Sequence, residues 1–182
     1  MIIKDNFIRD ESLLKDLRAE AKVLTGGLKE TSKSSPSFWK NFNIDAVNTT
    51  EKVCQIVFDK FCETSEYQGF EYWLNCLLPS ESDALGWHSD KDECLLEQQG
   101  RYVCPSIGMV LYLHEEDPEG GYLEISTEEE PIEATPNRFV LFNPAVPHRV
   151  TPTKKPRLTL AANVWKKAPF PDNFNAEKLN RK

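Results

Sequence analysis

The stretch Arg157-Leu-Thr-Leu-Ala-Ala-Asn-Val-Trp165 decides the fold prediction, because its polar and apolar residues alternate. Successive side chains of a β-strand point to opposite faces of the sheet, so this alternation predicts a strand. One face carries Leu158, Leu160, Ala162 and Val164, and the other carries Arg157, Thr159, Ala161 and Asn163. A guanidinium inside a β-sandwich is costly unless it is paired, and a carboxylate is its natural partner. The polar face therefore predicts an anion bound to Arg157.

Other short runs with strand character surround this stretch, beginning after Gly69. Pro, Gly, Asn and Asp residues separate the runs, and no helical pattern lies between them. The predicted strands are 70–78, 102–113, 121–125, 138–142, 148–151 and 157–165. Short strands joined by turns are typical of an antiparallel jelly roll or barrel.

The N-terminal third has a helical texture. Apolar residues recur at helical spacing in 10–24, where Asp10 is placed to cap the first turn, and again in 48–62. The segment 29–43 is rich in Ser, Lys and Asn and is expected to be a loop. We predict a mainly β protein with N-terminal helices packed on one outer face of a β-sandwich. The prediction is one domain over 1–182, with 1–66 as helical support and loop, 67–166 as jelly-roll core and 167–182 as tail.

Length and composition describe an ordinary globular protein. The 182 residues are 40% hydrophobic and 28% charged, which corresponds to about one domain and argues against a disordered chain. The net charge of -7 argues against nucleic-acid binding, because phosphate contacts need a basic surface. Five cysteines without a Cys-x-x-Cys pair indicate reduced thiols, and no apolar run is long enough for a membrane span or a signal peptide. We therefore expect a cytoplasmic protein with no membrane partner.

Two histidines and one aspartate form a candidate metal site. His88 and Asp90 lie two residues apart, so an extended chain would present both side chains to one face. His148 follows 58 residues after Asp90, at the start of another predicted strand. Two imidazoles and one carboxylate on one face of an octahedron leave three positions open, which is typical of non-haem Fe(II) oxygenases. Arg157 lies nine residues after His148, so a dicarboxylate that chelates the metal could reach it.

These residues resemble a known family, the Fe(II)- and 2-oxoglutarate-dependent dioxygenases, whose fold is a double-stranded β-helix, a cupin-like jelly roll. The family pattern is His-x-Asp, a distant His, and then an Arg about ten residues later that is followed by x-Ser or x-Thr. It is similar to His88-Ser-Asp90, His148 and Arg157-Leu-Thr159. Gly108-Met-Val-Leu-Tyr-Leu113 and the doublet Gly120-Gly121 resemble segments of the prolyl-4-hydroxylase-like branch. The likeness spans residues 70–165.

The resemblance implies an enzyme that uses Fe(II), 2-oxoglutarate and O2 to hydroxylate a C–H bond of a small molecule or of a protein or peptide side chain. It implies that 2-oxoglutarate is converted to succinate and CO2 in the same reaction. The metal ligands that it implies are His88, Asp90 and His148. The residues that it implies for 2-oxoglutarate are Arg157 and Thr159, with Asn75, Tyr112 and Asn163 as further candidates.

Two alternatives stay open. The segment 83–93, together with Asn75, resembles the first ligand segment of the AlkB nucleic-acid demethylases. Leu77 and Asn163 stand where that family has a Tyr and a second Arg, so demethylation is the runner-up. A jelly-roll module that binds metal without catalysis is the third interpretation, and the presence of Arg157 disfavours it.

The third histidine of the chain, His114, is not assigned to the site. It precedes the acidic turn Glu115-Glu-Asp117. A histidine beside several carboxylates is expected to be exposed and charge-paired.

Overall fold

The computed structural model describes residues 1–26, 33–79 and 85–170. Within these residues the chain forms ten β-strands, three α-helices and a 3-10 turn at Thr64–Glu66. The helices are α1 (Glu11–Leu24), α2 (Thr49–Phe61) and α3 (Glu93–Gln99). The strands are β1 (Ile2–Lys4), β2 (Lys33–Ser34), β3 (Phe38–Asn41), β4 (Gly69–Leu77), β5 (Leu85–His88), β6 (Ile107–Tyr112), β7 (Leu123–Ile125), β8 (Phe139–Phe142), β9 (His148–Val150) and β10 (Arg157–Trp165).

The strands form two antiparallel sheets. The larger sheet has seven strands in the order β1-β8-β6-β10-β4-β2, and β3 also pairs with β4. The smaller sheet has the order β5-β9-β7. Side chains from both sheets line one cavity, so the sheets face each other as they do in a jelly roll. The predicted fold class, a mainly β jelly roll with N-terminal helices, is confirmed.

Strand β10 lies at the centre of the larger sheet, with the bounds that its alternation predicts. It pairs with β4 on one side and with β6 on the other, and all nine of its residues are buried. Its apolar residues belong to the main hydrophobic core, whereas its polar face, from Arg157 to Asn163, lines the cavity between the sheets. The sequence of β10 alternates because one of its faces packs in the apolar core and the other lines the polar cavity.

Helices α1 and α2 cover the outer face of the larger sheet. Asp10 accepts a hydrogen bond from the Leu13 N–H, and Asn48 accepts one from the Glu51 N–H, so each helix begins at a side-chain cap. The apolar faces of both helices pack with residues of β4, β6, β8 and β10 in one core. This layer leaves the opposite face of β10, which carries Arg157, for the cavity.

The N-terminal region differs from its prediction, because it contributes strands as well as helices. β1 pairs with β8, and β2 and β3 pair with β4, so residues 1–66 complete the larger sheet. The segment 29–43, predicted to be a loop, holds β2 and β3, while residues 27–32 lie outside the described residues. The alternation of β3 is obscured because Lys40 takes a buried position, where its ammonium pairs with Glu51 Oε2 at 3.0 Å.

Smaller differences concern the ends of elements. β6 begins at Ile107 rather than at residue 102. The short helix α3 is not indicated by the apolar pattern; Asp92 caps its start, and Gly100 ends it with a φ of 63°. Residues 171–182 of the predicted tail lie outside the described residues. None of the helices within the described ranges is long and apolar enough to cross a membrane.

Candidate active site

His88, Asp90 and His148 converge in the cavity between the two sheets. His88 ends β5 and pairs directly with His148, which begins β9. Between the pairs Leu85–Val150 and His88–His148, β5 has one residue more than β9. This is a β-bulge, which changes the direction of neighbouring side chains. Asp90 lies beyond the end of β5, where its backbone N–H donates to the Pro144 carbonyl at 3.0 Å. The loop before β9 therefore holds Asp90 against the histidines.

The ligand atoms of the three side chains are spaced for a shared ion. Asp90 Oδ1 lies 3.7 Å from His88 Nε2 and 3.8 Å from His148 Nε2, which is too far for hydrogen bonds. His88 Nδ1 lies 2.8 Å from the Gly86 carbonyl oxygen, and His148 Nδ1 lies 3.0 Å from that of Val146. A carbonyl only accepts, so each Nδ1 carries the proton and each Nε2 keeps a lone pair for a metal.

The histidine pair is closed on one side and open on the other. The side chain of His148 is 7% exposed, whereas that of His88 is 36% exposed. Burial lowers the pKa of His148, which favours the neutral imidazole that a metal requires. A second reactant can therefore approach this group from the side of His88.

Arg157 is buried without an acidic partner. The residue is 2% exposed, and among the described residues its Nε has no hydrogen-bond partner and its guanidinium no ion pair. The guanidinium carbon lies 5.0 Å from the ring centroid of Tyr112, whose buried hydroxyl also lacks a hydrogen-bond partner in the described ranges. Burial lowers the pKa of Arg157, yet a guanidinium stays protonated in proteins. A buried cation beside an unsatisfied hydroxyl is suited to bind a carboxylate.

Gly121 makes room for the stem of Arg157. A Cβ atom at Gly121 would lie 2.5 Å from Arg157 Cδ, and the φ of this glycine is 65°. A Cβ atom at Gly120 would lie 2.5 Å from the Pro152 carbonyl oxygen. The glycine doublet that the sequence shows is therefore required by a left-handed turn and by the close approach of Arg157.

Replacing Gly121 by Ala is expected to destabilise the protein by about 2 to 4 kcal/mol. About 1 kcal/mol of this is the cost of a positive φ for alanine, and the rest comes from the clash with Arg157. Urea unfolding measures the loss. Gly100→Ala is the matched control, because Gly100 has a φ of 63° and nothing within 4 Å of the added Cβ. Equal losses in the two variants would show that packing against Arg157 contributes nothing.

The cavity joins Arg157 to the histidines. The cavity has a volume of about 60 Å³. Thr159 and Asn75 line it, and the Thr159 hydroxyl donates to the Asn75 carbonyl oxygen at 3.4 Å. Asn163 lines it as well, with its side-chain amide on Asp90. Of the eight predicted site residues, seven line this cavity, and Tyr112 lies beside Arg157 in the adjoining apolar core.

Glu71 is a carboxyl group near the site that sequence reasoning did not single out. It lies on β4 directly opposite Asn163 of β10. Burial raises the pKa of Glu71 to about 7; the charges of Asp90 and Asp92 add to this shift, and a hydrogen bond from Ser37 opposes it. The sequence signal for this environment is a single charged residue within a strand that is mostly apolar and aromatic.

Glu71 is expected to make the metal-free protein less stable as pH rises. A carboxyl whose pKa is raised on folding contributes stability that is complete below its unfolded pKa of about 4.5 and is lost as pH rises through about 7. The difference corresponds to a penalty on the order of 3 kcal/mol above pH 7. Glu71→Gln should therefore be more stable than wild type at pH 8, and the gain should shrink toward pH 5. Urea unfolding in a chelator measures this, with the exposed Glu128→Gln as control; a gain independent of pH would contradict it.

His114 corrects a sequence-based expectation. It is buried rather than exposed, at 6% of its full accessibility. Its Nε2 lies 2.6 Å from the Ala134 carbonyl oxygen and its Nδ1 lies 3.3 Å from that of Leu158. Burial lowers the pKa of His114, which favours the neutral imidazole, so its contacts are with these two backbone carbonyls rather than with the acidic turn.

Comparison with known proteins identifies the family. The model of the 2OG-Fe(II) oxygenase superfamily matches residues 72–165, just over half of the chain. The chain belongs to this superfamily. A search of curated proteins finds no match for the oxygenase. The matched range begins within β4 and ends with β10, and it contains all eight predicted site residues.

Solved structures share the fold of the oxygenase at low sequence identity. A Pseudomonas putida prolyl-4-hydroxylase is 18% identical with a TM-score of 0.64, over 91% of this chain and 92% of that one. A viral collagen prolyl hydroxylase from Paramecium bursaria Chlorella virus-1, in a 2-oxoglutarate complex, is 15% identical with a TM-score of 0.59, over 90% and 93%. A Trichoplax adhaerens prolyl hydroxylase with a hypoxia inducible factor peptide is 13% identical with a TM-score of 0.61, over 100% and 87%. These likenesses show that the chain shares the fold of the prolyl hydroxylases.

Membership of the superfamily makes the chain a dioxygenase that uses Fe(II), 2-oxoglutarate and O2, as predicted. The residues of this oxygenase fit these groups. His88, Asp90 and His148 offer three ligand atoms within 4.8 Å of one another, with both Nδ1 atoms engaged elsewhere. Arg157 and Tyr112 supply buried, unsatisfied donors for an anionic cosubstrate.

Proposed function

We propose that this oxygenase hydroxylates a C–H bond of a small molecule or of a peptide side chain. In the balanced reaction, one oxygen atom of O2 enters the C–H bond and the other enters succinate, as 2-oxoglutarate loses CO2. The observation that carries the proposal is Arg157, a buried cation without an acidic partner in the described residues, which lines the same cavity as His88, Asp90 and His148. A module that only bound metal would have no use for a second, anion-binding subsite.

The proposed metal ligands are His88 Nε2, His148 Nε2 and Asp90 Oδ1. When bound there, Fe(II) together with 2-oxoglutarate and O2 supplies oxidising chemistry that protein side chains lack. The chain itself supplies orientation, because the Gly86 and Val146 carbonyl groups hold both imidazoles with Nε2 toward Asp90. Three protein ligands leave three octahedral positions for the reactants.

Arg157 is the proposed partner of the far carboxylate of 2-oxoglutarate, with Tyr112 as a hydroxyl donor. Thr159 is a second donor once its hydroxyl turns from the Asn75 backbone carbonyl oxygen, 3.4 Å away, to the carboxylate. The buried guanidinium is neutralised only when an anion is present, so the cavity favours a dicarboxylate. Arg157 lies at a buried position, whereas the metal ligands are open at His88. We therefore expect 2-oxoglutarate to bind before the substrate, which then covers the open side.

The substrate class is proposed from the open side and from the fold. Leu85, which lines the cavity, is 41% exposed and offers an apolar contact beside His88. The Trichoplax adhaerens prolyl hydroxylase holds a peptide on the same fold, which supports a peptide side chain as one substrate class. The net charge of -7 disfavours a nucleic acid, and the cysteine pattern supports a cytoplasmic location as part of this proposal.

Succinate formation from 2-oxoglutarate, Fe(II) and O2 tests the function. A library of metabolites and peptides is screened for compounds that stimulate succinate formation and gain one oxygen atom in mass. Stimulation by a methylated oligonucleotide, with release of formaldehyde, would replace hydroxylation by demethylation. Absence of both 2-oxoglutarate binding and turnover would leave a non-catalytic metal module.

A further inference from the structure

Asn163 makes a contact that the proposed reaction does not by itself explain. Its Nδ2 donates to Asp90 Oδ2 at 3.0 Å, although the two residues are 73 positions apart in the chain. Because a carboxylate only accepts, the amide must present its NH2 group to Asp90. Asn163 is 3% exposed and lies on the central strand β10, so this donor is held by a rigid element.

The two oxygens of Asp90 therefore face different groups. Oδ1 is the atom that lies 3.7 and 3.8 Å from the two histidine Nε2 atoms. Oδ2 is engaged by Asn163. A carboxylate free to rotate can give a metal both oxygens, whereas this one offers a single oxygen to the histidine pair.

Gly108 shapes the space that Asn163 occupies. Gly108 of β6 is directly opposite Asn163 in the sheet. A Cβ atom on Gly108 would lie 3.1 Å from Asn163 Oδ1 and 3.0 Å from Pro144 Cβ. Asn163 and Pro144 are the two residues that hold Asp90, by its side chain and by its backbone N–H. The missing side chain at Gly108 thus lets both approach.

We propose that Asn163 is a positioning residue that keeps Asp90 a one-oxygen metal ligand. The inference rests on the proposed metal site. With two imidazoles and one oxygen bound, three of six octahedral positions stay open, enough for a chelating 2-oxoglutarate and one further reactant. A second oxygen from Asp90 would remove one of them. The role is distinct from the cosubstrate contact predicted for Asn163 from sequence, which stays a prediction.

Binding of Mn(II), and then of 2-oxoglutarate, to the metal-free protein tests the role without turnover. Calorimetry compares wild type, Asp90→Ala, Asn163→Leu and Gly108→Ala, the last of which keeps the amide but displaces it. Asn163→Leu is expected to weaken the binding of 2-oxoglutarate to the Mn(II)-saturated protein about 10-fold, as loss of a group that orients a metal ligand does. The reason is that an unrestrained Asp90 can give Mn(II) its second oxygen and so competes with 2-oxoglutarate for a position. Gly108→Ala shifts the amide by only a few tenths of an ångström and should weaken the same binding by a smaller factor.

Asn137→Gly is the control for general loss of stability. Asn137 is a buried residue whose amide makes two 3.0 Å hydrogen bonds with Ile8, and glycine accepts its φ of 58°. This variant should be less stable than wild type yet bind Mn(II) and 2-oxoglutarate equally well. Wild-type affinity for 2-oxoglutarate in Mn(II)-saturated Asn163→Leu, or in Gly108→Ala if the former does not fold, would overturn the role of Asn163. Failure of the metal site itself is recognised separately, because Asp90→Ala would then bind Mn(II) like wild type.

Discussion

His88→Ala and Asp90→Ala are each expected to reduce succinate formation from 2-oxoglutarate to below about 1% of the wild-type rate. Removal of groups that merely orient a ligand costs 10- to 100-fold, and loss of a ligand itself should exceed that range. His88 and Asp90 supply two of the three atoms that converge within 4.8 Å. Succinate is measured at saturating Fe(II) and 2-oxoglutarate, so that weak binding of either does not mimic the loss.

The control for this prediction is the third histidine. His114→Ala should lower the free energy of unfolding by about 1 to 3 kcal/mol, because it removes a buried imidazole together with the one hydrogen bond that its neutral form donates to the Ala134 or the Leu158 carbonyl. At a temperature where it remains folded, it should retain most of the wild-type turnover. If the folded His114 variant lost turnover as fully as His88→Ala, the assignment of the metal ligands would be wrong.

The sequence was sufficient to predict the parts of the structure that depend on a local pattern. β10 has its predicted bounds and faces because its alternation of Arg157, Thr159, Ala161 and Asn163 with apolar residues is complete within nine positions. The predicted cap at Asp10 is equally local, since it accepts from an N–H three residues later. The motif residues around Asp90 and His148 were recognisable because the metal requires specific side chains.

Features that depend on residues far apart in the chain could not be predicted from a local sequence pattern. Lys40 looks like a surface residue in sequence, and it is buried only because Glu51 of α2 neutralises it. The burial of His114 likewise depends on distant residues, because its carbonyl partners lie 20 and 44 positions away in the chain. The contact of Asn163 with Asp90 spans 73 residues, so no spacing rule could assign it. Each of these groups is polar and buried, and its environment is set by tertiary packing rather than by its neighbours in the chain.

Arg157→Met is expected to raise the apparent KM for 2-oxoglutarate about 100-fold. A charge-assisted hydrogen bond is worth about 1.5 to 3 kcal/mol, and a guanidinium forms two with a carboxylate, so a loss near 3 kcal/mol is expected. Steady-state succinate formation at varied 2-oxoglutarate measures it. Arg138→Met removes a guanidinium that does not line the cavity and that pairs with Asp5 at 2.6 Å. This variant should leave the KM nearly unchanged.

Arg157→Met is also expected to stabilise the unliganded protein, an effect that a general packing defect would not produce. In the absence of 2-oxoglutarate, wild type holds the Arg157 charge at 2% exposure with only the Tyr112 ring as a neighbouring partner among the described residues. Replacing an unpaired buried charge by an apolar side chain of similar length removes its desolvation penalty, so Arg157→Met should stabilise the unliganded protein by about 1 to 3 kcal/mol. Arg138→Met, which loses an exposed ion pair, should lower stability by up to about 1 kcal/mol.

Thermal unfolding with and without ligand measures both effects of Arg157→Met, the change in stability and the change in cosubstrate binding. Saturating 2-oxoglutarate with Mn(II) should raise the Tm of wild type, because a ligand that binds only the folded state stabilises it in proportion to the logarithm of its excess over Kd. The variant should start from a higher Tm and gain much less. A lower starting Tm, or a gain equal to that of wild type, would show that Arg157 serves the fold rather than the cosubstrate. The unpaired cation of Arg157 thus destabilises the protein when no cosubstrate is bound. Its removal separates two quantities, the stability of the fold and the affinity for a dicarboxylate.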